Sequence, residues 1–231
     1  NAYAVYSKFH VGAALLLELA PHYQVLEINN LRTARYKSLY FDTDDLSYYM
    51  HHHNGYPDRY KVRMRRYVDS NLCFLEIKHK KKGRTDKQRI KIADFELKLS
   101  ENSASFIEGI IPSFTSLKPA LWNSFNRITL VNTVLQERLT LDIGLKFKEN
   151  IDSDKDVGYD DIVIAEVKQE RENRNSPIMK ILKKHGIRKA RLSKYCIGMG
   201  MTTPDLKVNR FKEKYLFCLL YTSDAADEGH C

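Results

Sequence analysis

The sequence predicts an α+β protein in which about eight mostly antiparallel strands form a closed barrel or a strongly curved sheet, with helices outside. Three observations carry this. The stretch RYKVRMRRYVDSNLCFLEIKHKKKGRTDKQRIKI, from Arg59 to Ile92, alternates apolar and charged residues and is cut only by short turns. Further strand-like runs, rich in aromatic and β-branched residues, lie on both sides of it. The helical stretches are short and separated from one another. Short turns between strands imply an antiparallel meander.

In chain order, Val11, Leu15, Leu16 and Leu19 keep helical spacing and Pro21 follows, which predicts an amphipathic helix over 11–20. YQVLEI (23–28) and RYKSLYFDT (35–43) read as strands. Thr43 is placed to cap a helix over 44–53, and Asn54-Gly55 makes the turn after it. The long charged stretch divides into strands 59–68, 72–81 and 85–95. A helical, more polar middle is expected over about 101–125, punctuated by Pro112 and Pro119. Strands resume at 126–132, 137–147 and 160–170. A helix over 176–186 has Ser176 as its cap, Pro177 at its first position and Gly186 at its end, and a last helix starts at Ser193. No repeat or linker is visible. The expectation is one domain over 1–216, with 217–231 a non-native or disordered tail, since LLYTSDAADEGHC from Leu219 to Cys231 breaks the pattern.

Charge narrows the function. The chain has 231 residues and a formal charge of +9, but residues 59–91 hold 13 basic and 3 acidic side chains, so the rest is near neutral. One strongly cationic region points to a polyanionic ligand. The four cysteines, Cys73, Cys196, Cys218 and Cys231, form no CxxC pair and no zinc spacing, which favours a reducing, cytoplasmic setting. No apolar run reaches the roughly 18 residues needed to span a bilayer. His51, His52 and His53 splay around a helix end and read as a polar turn.

Strand side chains two apart share a face. Lys61, Arg63 and Arg65 therefore share one face, Glu76, Lys78 and Lys80 another, and Lys87, Arg89 and Lys91 a third, with Val62, Met64, Leu75, Ile77 and Ile90 opposite. A charged strand face is usually only solvated. Three neighbouring cationic faces repel one another, however, and persist when a polyanion fills them or they line a watery interior. Arginine forks suit phosphate oxygens in pairs, while lysine acts as a point charge. Glu76 among these cations, with Glu166 in AEVK and Asp142 beyond it, suggests a hard divalent metal, Mg²⁺ or Mn²⁺, bridging ligand oxygens.

RYKVRMRRYVDS…FLEIKHKKKGRTDKQRI, with SLYFDT before it and ERLTLD, AEVK and RLSKYC after it, resembles the VTC domain, the polyphosphate-polymerase branch of the triphosphate tunnel metalloenzymes. The resemblance runs from about residue 8 to 215 with all motifs in order. It implies an antiparallel β-barrel tunnel lined by basic side chains and a few carboxylates. It also implies ATP and polyphosphate as partners, with a divalent metal as cofactor and transfer of the γ-phosphate onto the growing chain. The positions it assigns to phosphate handling are Arg63, Arg65, Lys78, Arg89 and Lys194, with Lys8, Lys61, Lys87, Arg127, Arg138 and Lys168 as further binding residues. Glu166 matches the metal-binding glutamate, and Glu76 is the second metal candidate.

One departure stands out. These proteins usually open on Glu-x-Lys-Tyr or Glu-x-Lys-Phe, whereas VYSKF keeps Lys8 and Phe9 and has Tyr6 where the acid is expected. Phosphoryl transfer between phosphates needs positioning and charge stabilisation more than a general base. A triphosphatase using the same tunnel and a non-catalytic polyphosphate-binding module remain as alternatives. Nucleic acid is not expected as a partner. Any membrane-bound protein that takes up the product is left open.

Overall fold

The computed structural model describes residues 2–8, 15–149, 157–159, 162–188 and 192–211. The tail over 217–231 lies outside these residues, as does the first part of the helix expected over 11–20. Strands β1 (Ala2–Lys8), β2 (Gln24–Val25), β3 (Thr33–Asp42), β4 (Arg59–Tyr67), β5 (Leu72–Lys81), β6 (Arg84–Ile92), β7 (Lys118–Asn132), β8 (Glu137–Lys148), β9 (Val157–Tyr159) and β10 (Ile162–Gln169) form one sheet. Every pairing in it is antiparallel. The main order is β1-β10-β8-β7-β3-β4-β5-β6, with β2 added on β7 and β9 on β8. Among the described residues five helices accompany it: α1 (15–19), α2 (Ser47–Asn54), α3 (Glu101–Glu108), α4 (Pro177–Lys184) and α5 (Lys194–Thr202). None of the described helices is long and apolar enough to cross a membrane.

The sheet is strongly curled into a half-barrel. Strands β5 and β10 stand five places apart in the order, about 24 Å along a flat sheet. Even so, Lys78 on β5 and Glu166 on β10 lie close enough to perturb each other's ionisation. Curling brings the two ends of the order to face each other across a concave surface. Edges β1 and β6 form no ladder together among the described residues.

Burial explains the curl. On the convex side, α1 and α4 cover one half of the sheet, packing Leu15, Leu19, Ile178 and Leu182 on Leu130, Leu139, Leu141 and Val167. Helix α3 and its continuation cover the other half, with Ile107 and Ile111 on Leu39, Val62, Met64 and Leu75. On the concave side, α5 closes one end by packing Tyr195, Cys196, Ile197 and Met199 against Tyr40, Leu121, Phe147, Ile162 and Ile164. The approach is close: a Cβ at Gly198 would collide with Phe147 and Leu121, so only glycine fits there.

Several boundaries differ from those read in the sequence. The helical middle is limited to α3, capped by Ser100, whose Oγ accepts from the Ser103 amide at 3.3 Å. Strand β7 begins at Lys118 and not at residue 126. Both its faces are covered, so Leu121, Trp122 and Asn123 are buried consecutively and the two-residue period disappears. Helix α2 starts at Ser47 instead of residue 44. Thr43 accepts from the Ser47 amide at 2.8 Å, and buried Asp42 accepts from the amides of Tyr48 and Tyr49 at 2.9 and 2.8 Å. The expected strand over 23–28 keeps only Gln24–Val25.

Candidate active site on the concave face

Register places the sequence ladder side by side. Lys61 stands opposite Lys78, which stands opposite Lys87; Arg63 stands opposite Glu76, which stands opposite Arg89; Arg65 stands opposite Phe74. From the other half of the sheet, Arg127 stands opposite Asp142, Thr140 opposite Glu166, and Arg138 opposite Lys168. Lys194, at the first turn of α5, reaches in from the closed end.

Glu76 is fully buried at the centre of the cationic wall. Its Oε2 accepts from Arg63 Nε at 2.9 Å and Nη2 at 2.6 Å, and its Oε1 from Lys87 Nζ at 2.5 Å. Burial raises its pKa, but the charges of Arg63 and Arg65 and the bonds from Lys87 and Arg63 outweigh this and bring it down to about 2. The residue read as a metal candidate thus serves, in this structure, as the counter-ion of the basic rows. Arg63 also donates to Tyr40 Oη at 3.3 Å.

Arg65 is 7% exposed and donates from Nε to Ser38 Oγ at 3.2 Å. Its guanidinium lies 5.3 Å from the Tyr36 ring and 5.7 Å from Phe125. Arg127 lies over the same two rings, at 5.2 and 5.3 Å, and grips Asp142 with Nε at 2.6 Å and Nη2 at 2.8 Å. Lys194 Nζ donates at 2.5 Å to Asp142 Oδ2, the oxygen that also accepts from Arg127 Nη2, and sits 4.7 Å from Phe125. Tyr36 and Phe125 are stacked at 5.1 Å, so one aromatic platform sets the height of three cations.

The first turn of α5 is fixed by its neighbours. Lys61 Nζ donates to Ser193 Oγ at 2.9 Å, Ser193 in turn accepts from the Cys196 amide at 3.3 Å, and Tyr195 donates its hydroxyl to Asp42. Ser193 is therefore a helix cap that also anchors a tunnel lysine.

Lys78 makes no ion pair among the described residues. The charge of Arg63, burial, and the charges of Arg65 and Lys61 bring its pKa from 10.5 down to about 7, against a smaller opposing pull from Glu166. An anion arriving between these cations favours the protonated form. Triphosphate binding near pH 8 is therefore expected to take up a proton, and affinity is expected to fall as pH rises through about 7. Calorimetry in two buffers of different ionisation enthalpy measures the uptake; a buffer-independent heat in the unaltered chain, or a buffer dependence that survives in Lys78→Met, would remove Lys78 from this role. The stability effect has the opposite sense. The folded state holds fewer protons than the unfolded chain between about 7 and 10.5, so this group's contribution makes folding more favourable as pH rises through that window.

Glu166 is the concave-face carboxylate left most available. Its nearest cation is Lys168, at 3.4 Å, and its side chain keeps 31% exposure. Burial raises its pKa, while Lys168, Arg127, Lys78 and Lys194 together hold it below the ordinary glutamate value. Thr140 Oγ1, on the residue directly opposite, is buried and makes no hydrogen bond. One carboxylate beside an unsatisfied hydroxyl fits a magnesium-type ion that takes its remaining oxygens from phosphate and water. The described residues contain no cluster of three or more His, Cys, Asp or Glu groups that would hold a metal unaided.

Arg89, Arg138 and Lys168 are peripheral. Arg89 is exposed, 4.6 Å from the Phe74 ring, on edge strand β6. Arg138 and Lys168 are exposed at the mouth away from α5. Lys8 stands in register with Ile162 and Tyr6 with Ile164, while Ala4 is opposite Glu166. Sequence reading gave no role to the platform of Tyr36 and Phe125, to Thr140, or to the link between Asp42 and Tyr195. Strand phase carried a signal for three of these, since Tyr36 and Asp42 share it with Ser38 and Tyr40, and Thr140 shares it with Arg138 and Asp142.

A curled antiparallel sheet with cations on facing walls and helices on its outside is the triphosphate tunnel fold. Solved structures of that fold resemble the chain. HpAC1 from Hippeastrum, described as having a dominant triphosphatase activity, aligns with a TM-score of 0.53 at 14% identity, over 89% of this chain and 98% of its own. A Bacillus halodurans protein assigned as an adenylate cyclase gives 0.50 at 14% identity, over 84% and 92%. The PH1819 protein of Pyrococcus horikoshii gives 0.50 at 11%, over 87% and 96%. Within this class the chain belongs to the VTC domain family, which matches residues 8–203. No curated protein matches it in sequence.

Proposed function

We propose that the chain is an ATP-dependent polyphosphate polymerase working with a divalent metal, manganese or magnesium, in a cytoplasmic setting. The observation that carries the reading is the convergence of Lys61, Arg63, Arg65, Lys78, Arg127 and Lys194 on one concave surface, from both halves of the sheet, within a VTC-family chain. Arg63 and Arg65 would hold the triphosphate, with Lys78 as a cation whose charge strengthens when the anion arrives. Arg127 and Lys194, kept in place by Asp142, would hold the acceptor phosphate in line with it. Glu166, with Thr140 beside it, would hold the metal, which when bound neutralises charge on the phosphate oxygens. An acceptor phosphate is already ionised, and no histidine lies on this face among the described residues, so no proton acceptor is called for.

The second reading, a triphosphatase, is favoured by the fold likeness to HpAC1, a protein described as having that activity. Incubation with ATP and Mn²⁺, with products resolved on a gel, separates the two. Long polyphosphate and ADP are expected. Free phosphate alone would leave the triphosphatase, and binding without turnover would leave a non-catalytic module.

A further inference from the structure

The concave wall is cationic along most of its length, but away from α5 it ends in rings. On β4, Tyr67 follows Lys61, Arg63 and Arg65 on the same face, one step of about 6.5 Å beyond Arg65. Leu72 stands directly opposite Tyr67 on β5, and Phe74, on the same face of β5, stands opposite Arg65. Tyr67 meets Phe74 edge to face at 5.9 Å and Tyr36 edge to face at 5.1 Å. Tyr36 is already engaged: Phe125 stacks on it, and the Arg65 and Arg127 guanidiniums lie 5.3 and 5.2 Å from its ring. Tyr67 and Phe74 are half-buried, Leu72 is 37% exposed, and no described ring stacks face to face on any of them. These three side chains form an apolar ledge at the edge of the phosphate-binding rows.

Apolar rings left wet beside cations gain by being covered. An inorganic phosphate chain has nothing to lay on them. A nucleoside triphosphate has both parts, phosphates for Arg63 and Arg65 and a flat base for the ledge. Exposed Arg89, 4.6 Å from the Phe74 ring, adds a planar cation at the same edge. The other end of the surface lacks such a ledge. Its concave aromatics, Tyr40 and Tyr195, are buried on each other at 5.1 Å, which leaves Lys61, Lys78 and Lys194 to face a ligand there. One end offers rings and charge, the other charge alone.

The geometry points to a nucleobase site on Tyr67, Leu72 and Phe74, with the nucleotide lying base outward and γ-phosphate inward. It rests on the tunnel reading above and adds what selects a nucleotide over a bare phosphate chain. With the base on the ledge, the nearest phosphate falls at Arg65 and the terminal one beyond Arg63, toward Lys61 and Lys78. Every base has a π-face, so the ledge favours nucleotides over inorganic chains more than it favours adenine over guanine.

Binding of ATP and of inorganic tripolyphosphate to the full chain is measured by calorimetry without added metal. Tyr67→Ala with Phe74→Ala is expected to weaken ATP by about tenfold or more and to leave tripolyphosphate within about twofold, the second result showing that the wall is intact. Should the pair unfold the sheet, Phe74→Ala alone is read in the same way. Tyr67→Phe, which keeps the ring, is expected to bind ATP as the unaltered chain does. Irradiated with 8-azido-ATP, the unaltered chain is expected to carry the label on the tryptic peptide YVDSNLCFLEIK (67–78), which holds the whole ledge. Undiminished ATP affinity in the folded alanine variant would overturn the inference, as would equal weakening of ATP and tripolyphosphate. Label confined to peptides of α5 would overturn the orientation. Tripolyphosphate binding that survives Arg63→Ala with Arg65→Ala, or neither ligand binding the unaltered chain, would overturn the tunnel reading itself and the ledge with it.

Discussion

Arg63→Ala combined with Arg65→Ala is expected to abolish triphosphate binding while the sheet still folds. Both guanidiniums are desolvated, and both are held by groups that aim them: Glu76 and Tyr40 for Arg63, Ser38 and the Tyr36–Phe125 platform for Arg65. Hydrogen bonds to charged groups contribute about 1.5–3 kcal/mol each, so losing one from each arginine costs about 3–6 kcal/mol, or a factor of roughly 10² to 10⁴ in affinity. The pair also leaves Glu76 buried with Lys87 alone, so negative charge faces the incoming phosphates. Breaking a buried pair typically destabilises by about 3–5 kcal/mol, and a lower melting temperature is part of the expected result. The apolar packing of Val62 and Met64 under α3 lies on the other face and is untouched. Calorimetric titration with ATP well below the melting transition is the check. Near-normal affinity in a folded double variant would sink the tunnel assignment.

Glu166→Gln is expected to have opposite effects on turnover and on anion binding. With the carboxylate gone, Thr140 alone would remain of the two groups proposed to hold the metal, and metal-dependent turnover is expected to fall by about 10² or more. Removing the charge also frees Lys168, Arg127, Lys78 and Lys194 from the carboxylate they share. Triphosphate affinity measured without metal should therefore stay level or rise. A stability defect would lower both quantities together, so the divergence identifies the role. Unchanged turnover at saturating Mn²⁺ would take Glu166 out of the metal site.

Much of this arrangement was legible in the sequence because the meander follows a strict period. Alternation alone placed Lys61, Arg63 and Arg65, then Glu76 and Lys78, then Lys87, each on one face of their own strand, and the register across the short turns joins these three faces into one surface. Strand β7 was misjudged at its start for the converse reason. Its first half is buried on both faces, so it has no alternation to read, and Pro119 resembles a helix stop when it is in fact a strand-end residue beside a bulge. The bond between Lys61 and Ser193 joins residues 132 positions apart, and the one between Tyr195 and Asp42 joins residues 153 apart. Contacts at that separation follow from how the sheet curls. The role of Glu76 depends on the same fact: sequence sets its face and charge, while packing decides that Arg63 and Lys87 occupy its oxygens.

The strand order also dictates the sequence of events as the chain leaves the ribosome. Strands β4, β5 and β6 pair only with neighbours in sequence or with β3, so the basic meander can assemble early. Asp142 and Glu166, which balance the concave surface from the opposite wall, emerge 50 and 74 residues after the end of β6. Strand β1 must wait until β10 has been made before it finds its partner. For that interval the nascent protein presents a cationic sheet without its internal counterweight, and polyanions in the surroundings can occupy it. Ionic strength thus enters the maturation of this protein as well as its affinity, and refolding should be more sensitive to salt and polyphosphate than the finished fold is.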